Sequence, residues 1–261
     1  MDDNYQTYLN RVARMTLPES YKSQVQHIQE SPKFVPAVEG GRKPVPFPGY
    51  TVITPPSEED AANNTFYTNL QLCQEQLLQE FKSGLMVPVP PSSFHLTLAD
   101  LIWAGAFLHV KEENPQFEEE LRDRIGKIFE QTQPLVGGGQ QIKFQLLGLM
   151  IMPRAIAVSL VPKDESTYDR IVKFRRAIYQ NGDLIGLGIE QQYGLTAHIT
   201  LGYFGDIPPD LDGERIGQTL SDLNLQWVDN SQELWVQKAE LRKFDDMTRY
   251  YREPDWPVLE F

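Results

Sequence analysis

The chain has 261 residues, of which 41% are hydrophobic and 11% aromatic, enough to bury a core in one large domain or two small ones. Its 36 acidic residues against 24 basic ones give a net charge of −12, which repels long polyanions, so a small nucleotide or an RNA end suits this surface better than duplex nucleic acid. There is no run of about 18 apolar residues and no signal-peptide core, so neither membrane insertion nor export is expected and the protein reads as cytoplasmic.

Residues 1–46 read as an N-terminal arm or linker, and residues 47–261 as the main domain. Residues 4–15 fit a short helix, but SPKFVPAVEGGRKPVPFPG is too rich in Pro and Gly for a helix or a central strand to persist. TVIT then forms a short β-branched strand ended by Pro55 and Pro56, and residues 64–82 carry Phe66, Leu70, Cys73, Leu77 and Phe81 at helical spacing. As the single cysteine, Cys73 rules out an intrachain disulfide or a cysteine zinc cluster, and its place on that stripe marks it as a core residue. SSFHLTLAD follows as a strand. Phe117, Leu121, Ile125, Ile128 and Phe129 stripe a second helix, whose solvated start accounts for the acidic run from Glu112 to Glu120. Gly137, Gly138 and Gly139 read as a connector, because no Lys-Ser or Lys-Thr pair follows to make a phosphate loop.

Residues 141–161 form a predicted hairpin turning near Met152-Pro153-Arg154. A third helix carries Tyr168, Ile171, Val172, Ile178 and Tyr179, the strand of TAHITLGYF comes next, and Ile216, Leu220 and Leu223 mark a fourth helix. A last strand runs through ELWVQKAELRKF. This order repeats imperfectly, and the repeat predicts two similar α+β lobes.

Each half contains the same alternating tetrad, His95-Leu96-Thr97-Leu98 and His198-Ile199-Thr200-Leu201, and these hold two of only four histidines. In a strand alternate side chains share a face, so His and Thr point one way and the apolar pair the other. His27 and His109 lack the pattern and are expected on the surface. The chain has no HExxH, no HxH and no cysteine partner, and Asp100 and Asp206 stand five and eight residues beyond the histidines, so no metal site and no cofactor are expected.

Two such tetrads about a hundred residues apart resemble the two-histidine (2H) phosphoesterases, the superfamily of RNA 2′,3′-cyclic phosphodiesterases and 2′-5′ RNA ligases. The similarity runs from about Phe47 to Phe244, and SPKF, PFPGYTVI, PSSFHLTL, AHITLGYF and FDDMTRYY look like a bacterial branch of that superfamily. The resemblance implies a bilobal α+β fold with antiparallel sheets, outer helices and pseudo-two-fold symmetry, whose central cleft receives His95 and Thr97 from one lobe and His198 and Thr200 from the other.

The implied activity is metal-independent hydrolysis of a 2′,3′-cyclic phosphate on a small nucleotide or an RNA end. One imidazole would take a proton from water while the other gives one to the departing ribose oxygen, and an unperturbed pKa near 6.5 suits histidine to both tasks. The Thr97 and Thr200 hydroxyls would donate to the non-bridging oxygens. Tyr203 is the nearest aromatic on which a base could stack, while Phe94 faces away from His95 by alternation and Tyr50 is a further aromatic nearby. Relatives place a basic residue after the second tetrad where this chain has Gly202-Tyr203-Phe204-Gly205, leaving Arg154 or Arg42-Lys43 as sources of positive charge. A nucleotide-binding module without turnover is the alternative, but binding alone needs neither an acid nor a base.

Overall fold

The computed structural model describes residues 3–138, 141–228 and 232–261. Along the chain the elements are α1 (Tyr5–Arg14), α2 (Pro18–Val25), β1 (Phe34–Pro36), β2 (Arg42–Pro44), β3 (Gly49–Ile53), α3 (Asn64–Glu80), β4 (Met86–Pro88), β5 (Thr97–Trp103), α4 (Ala104–Glu113) and α5 (Phe117–Val136). The second half contributes β6 (Ile142–Met152), β7 (Ala155–Pro162), α6 (Glu165–Tyr179), α7 (Gly182–Ile185), β8 (His198–Phe204), α8 (Gly213–Val228), β9 (Glu233–Val236), β10 (Lys238–Phe244), β11 (Tyr250–Tyr251) and β12 (Val258–Glu260). Local chemistry sets several helix starts. The Asn4 side chain accepts from Thr7 N at 2.8 Å, Asp164 accepts from Thr167 N at 2.7 Å, and Glu118, Glu119 and Glu120 fill the first turn of α5, where the helix dipole favours them.

The strands form two antiparallel five-stranded sheets and a small β1–β2 hairpin. The first sheet runs β11-β10-β3-β5 with β12 also on β10, and the second runs β4-β8-β7-β6-β9. Each tetrad strand is backed by a helix from the other half of the chain, β8 by α3 and β5 by α6. One continuous core spans both lobes. It includes Tyr8, Val12, Tyr21 and Val25 of the N-terminal helices, whose tyrosines Tyr8 and Tyr21 donate to Leu160 O and Leu149 O at 3.1 and 2.6 Å.

The two tetrads share an irregularity. Opposite β5, Ile53 pairs Thr97 but Val52 pairs Ala99, so Leu98 is a bulged residue; opposite β8, Ala157 pairs Thr200 but Ile156 pairs Gly202, so Leu201 is bulged. A bulge disrupts the ladder locally. Beside both bulges a buried polar side chain of the backing helix donates to the bulged residue's carbonyl: Arg175 of α6 to Leu98 O, and Gln74 of α3 at 2.7 Å to Leu201 O, which also accepts from Val89 N at 3.2 Å; Gln74 donates to Val89 O at 2.8 Å as well. Past the second bulge β4 comes so close that a Cβ on Gly202 would stand 2.5 Å from a Met86 side-chain carbon and 2.8 Å from Val87 O.

Three expectations from sequence need correction. The first tetrad is regular strand only from Thr97, because Pro55 and Pro56 end the chain that β3 would extend; the Thr54 hydroxyl and amide bond Leu96 N and O at 3.0 Å instead. The last predicted strand is two strands in different sheets, β9 beside β6 and β10 beside β3, with the crossing at Gln237. The acidic run is shared between the end of α4, a helix not anticipated, and the first turn of α5. The connector expected at the glycine triplet begins with Gly137 ending α5 and Gly138 at φ +77°, where glycine is favoured, while Gly139 lies outside the described residues.

Gln74→Leu keeps the volume but removes the side-chain donor from Val89 O and leaves Leu201 O with Val89 N alone, so it is expected to cost about 1–3 kcal/mol of stability, measured as a lower urea midpoint at unchanged slope.

Candidate active site

Between the two sheets lies a cavity of about 730 Å³ lined by His95, Thr97, His198 and Thr200. Their partners in the tetrads, Leu96, Leu98, Ile199 and Leu201, are at most 1% exposed, so alternation puts chemistry in the cleft and hydrocarbon in the core. The two histidines are oriented alike. His95 Nδ1 lies 2.7 Å from Ser93 O and His198 Nδ1 lies 2.7 Å from Thr196 O. A carbonyl only accepts, so each Nδ1 carries the proton and Nε2 is the free nitrogen of each ring. Thr196 is itself held by Arg11 of α1, which donates to its hydroxyl at 2.9 Å and to Leu195 O at 2.6 Å.

The bulges bring further residues onto the cleft face. Without them strict alternation would place residues four and six positions beyond each histidine there; with them the fifth arrives, Asp100 after His95 and Tyr203 after His198, and both line the cavity. The Tyr203 ring lies 5.5 Å from that of Phe34. Asp100 was set aside on spacing, and only the bulge at Leu98 explains its position. Trp103, at the end of β5, stacks on Tyr193 with ring centroids 6.4 Å apart. Tyr250 of β11 packs on His95 at 4.2 Å between ring centroids. The sequence reading held its motif, FDDMTRYY, but nothing in an irregular two-residue strand marks which face it serves.

Apart from Arg154, the other residues singled out fall outside the cleft. Phe94 is 1% exposed in the core; Tyr50 is buried and donates to Glu118 at 2.8 Å. His27 and His109 are exposed, and Cys73 is buried with its thiol pushed up to about 12 by burial. Arg154 lines the cavity; Arg42 is ion-paired with Glu30 at 2.6 Å and Asp206 at 2.7 Å, and Lys43 does not reach the cavity. Among the described residues no three of His, Cys, Asp and Glu converge on a point, and no helix is long and apolar enough to cross a membrane.

Burial sets the electrostatics. Enclosure at the cleft floor lowers His95 to about 4, the Ser93 carbonyl opposing this and the charges of His198 and Arg242 adding to it. Arg242 is 1% exposed and paired with Glu240 and Glu59. Burial raises the Asp100 carboxyl, against the charges of His198, Arg175 and Lys33. Burial likewise raises the Tyr203 and Tyr250 hydroxyls, so both are neutral near pH 7.

Matching lobes that each present a His-x-Thr face to one cleft are what the sequence resemblance implied. The chain has an α+β fold of two antiparallel sheets facing one cleft. No protein-family model matches the chain, and no curated protein matches it by sequence. Among solved structures, a conserved protein of unknown function from Agrobacterium tumefaciens aligns with a TM-score of 0.53 at 15% identity, over 89% of this chain and 96% of that one. LigT of Escherichia coli complexed with 3′-AMP aligns at 17% identity and TM-score 0.37 over 80% and 97% of the two chains, and Usb1 of Kluyveromyces marxianus at 12% and 0.43 over 82% and 98%. Those two superpose too loosely to bear on fold or chemistry.

Folded His95 takes its proton near pH 4, whereas the unfolded chain takes it near 6.5, so the unfolded state binds more protons between these values. Stability therefore falls as pH drops through that window. His95→Asn is expected to flatten this part of the curve of urea midpoint against pH; a slope equal to wild type would assign the loss to other groups.

Proposed function

We propose that this chain is a metal-independent phosphodiesterase that opens 2′,3′-cyclic phosphates of small nucleotides or RNA ends by two-histidine acid/base catalysis. The observation that carries the reading is the matched pair of imidazoles, each with Nδ1 fixed on the carbonyl two residues before it and Nε2 free, lining one cavity with a threonine beside each. A site that only binds a nucleotide has no use for two imidazoles held in the same tautomer.

The depressed basicity of His95 keeps its ring neutral at pH 7, which suits it to the base role and leaves His198 as the acid. His95 Nε2 takes a proton from water as the water oxygen bonds to phosphorus. His198, entering as imidazolium, gives its Nε2 proton to the ribose oxygen as the P–O bond breaks. The products are a ribose hydroxyl and a phosphomonoester, and a proton exchange with solvent resets the pair. The Thr97 and Thr200 hydroxyls donate to the non-bridging oxygens, where charge builds.

In the presence of EDTA, 2′,3′-cyclic nucleoside monophosphates should be hydrolysed, with kcat/KM falling about 10²- to 10⁴-fold in His95→Ala and in His198→Ala. The acidic limb of kcat/KM should lie below 6.5, because His95 must be neutral. The anionic substrate raises the affinity of His95 for its proton, so the limb of kcat itself should lie at higher pH. Absence of turnover on every cyclic nucleotide, with binding intact in both variants, would favour a nucleotide-binding module.

A further inference from the structure

Beyond Thr200 the cavity continues along β8 to Tyr203, and there residues 29–34 close over it. This segment is tied down at several points. Gln29 N donates to Pro153 O at 2.7 Å and Ser31 N to Phe204 O at 2.9 Å, while Arg42, held by Glu30 and Asp206, donates to Phe34 O at 3.1 Å. The result is a fixed position for Lys33. Its ammonium stands 4.7 Å from the Phe47 ring centroid and 5.0 Å from that of Tyr203, and 3.5 Å from the Tyr203 hydroxyl.

Lys33 makes no ion pair with any described residue. Burial pushes its ammonium down to about 8, Asp100 opposes this and the charge of Arg154 adds to it. A half-buried cation with no carboxylate at ion-pair distance, Asp100 acting on it only through space, is costly, and the cost is relieved when an anion arrives. Arg154 lines the same end of the cavity, its guanidinium engaged at 3.2 Å by the neutral Gln29 side chain. In a chain of net charge −12, two such cations at one end of a cleft are a local exception. Aromatic rings beside the ammonium hold it in place without neutralising it.

We propose that Lys33 and Arg154 form a second anion site that takes the phosphate 5′ to the ribose whose cyclic phosphate lies between the histidines. The substrate is then a 5′-phosphorylated nucleotide or the 3′ end of a short RNA, and an unphosphorylated cyclic nucleoside monophosphate fills only half the cleft. A cavity of about 730 Å³ accommodates one such nucleotide with both phosphates. The identity of the attacked phosphate rests on the phosphodiesterase reading; the anion site rests on Lys33 and Arg154.

The test is calorimetric titration of the full chain with adenosine 3′-monophosphate, adenosine 3′,5′-bisphosphate and a dinucleotide 3′-phosphate, with hydrolysis of 2′,3′-cyclic AMP measured separately. The added 5′-phosphate is expected to tighten binding about ten- to a hundredfold. That ratio should fall to about threefold or less in Lys33→Met and in the exposed Arg154→Ala, and be retained in Lys33→Arg. An equal gain with the dinucleotide assigns the site to an RNA end, and a gain confined to the bisphosphate assigns it to a mononucleotide; either supports a second anion site. A ratio near one in the wild type, or one unchanged by both removals of charge, overturns it. Should the ratio hold while cyclic AMP is not hydrolysed, the anion site stands and the phosphodiesterase reading falls.

Discussion

The cleft depends on two carbonyl oxygens. Leu98 and Leu201, three residues past their histidines, are each bulged against one neighbouring strand, and the carbonyl of each is met by a side chain that reaches through the core from the opposite half, Leu201 O accepting from Val89 N as well. An uncapped carbonyl at such depth would cost as much as a lost hydrogen bond or more, and the strand would straighten to recover it. Straightening either strand would turn the fifth residue after the histidine, Asp100 or Tyr203, away from the cavity. The polar anchor and the shape of the cleft are therefore one device, built twice with different residues, an arginine in one lobe and a glutamine in the other.

The N-terminal segment completes this frame. Arg11 holds the loop whose carbonyl fixes the tautomer of His198, and residues 29–34 roof the far end of the cavity. What reads as a Pro- and Gly-rich arm supplies both rigidity and positive charge to a site otherwise made by the later residues. Rigid support matters to the proposed reaction, because a proton relay between two imidazoles and a phosphorus tolerates little misplacement.

The tetrads were legible because His, Thr and their apolar neighbours keep a period of two, and the structure keeps that period as far as Thr97 and Thr200. The period fails one residue later, which is why Asp100 could not be placed by counting while the tetrads could. Lys33 and Tyr250 lie on segments without periodicity, where sequence carries no sense of direction. The split of the last strand left a trace: buried Leu234 and Val236 fall on even numbers and buried Ala239 and Leu241 on odd ones, a change of phase at the crossing. Helix stripes were read well because each buries one side against a continuous core. The exchange of helices between halves was not, since an amphipathic stripe says that a face is covered and not by what.

That exchange bears on how the molecule is made. β3 and β5 leave the ribosome before most of the other strands, yet their sheet gains its central strand β10 and the edge strands β11 and β12 only from Lys238 onward, and the helix behind β5 comes from between β5 and β10. The second sheet has nearly all its strands in hand well before that. The lobe translated first is thus the lobe folded last, and a stop codon ahead of β10 would strip the first histidine of its support while sparing most of the second lobe.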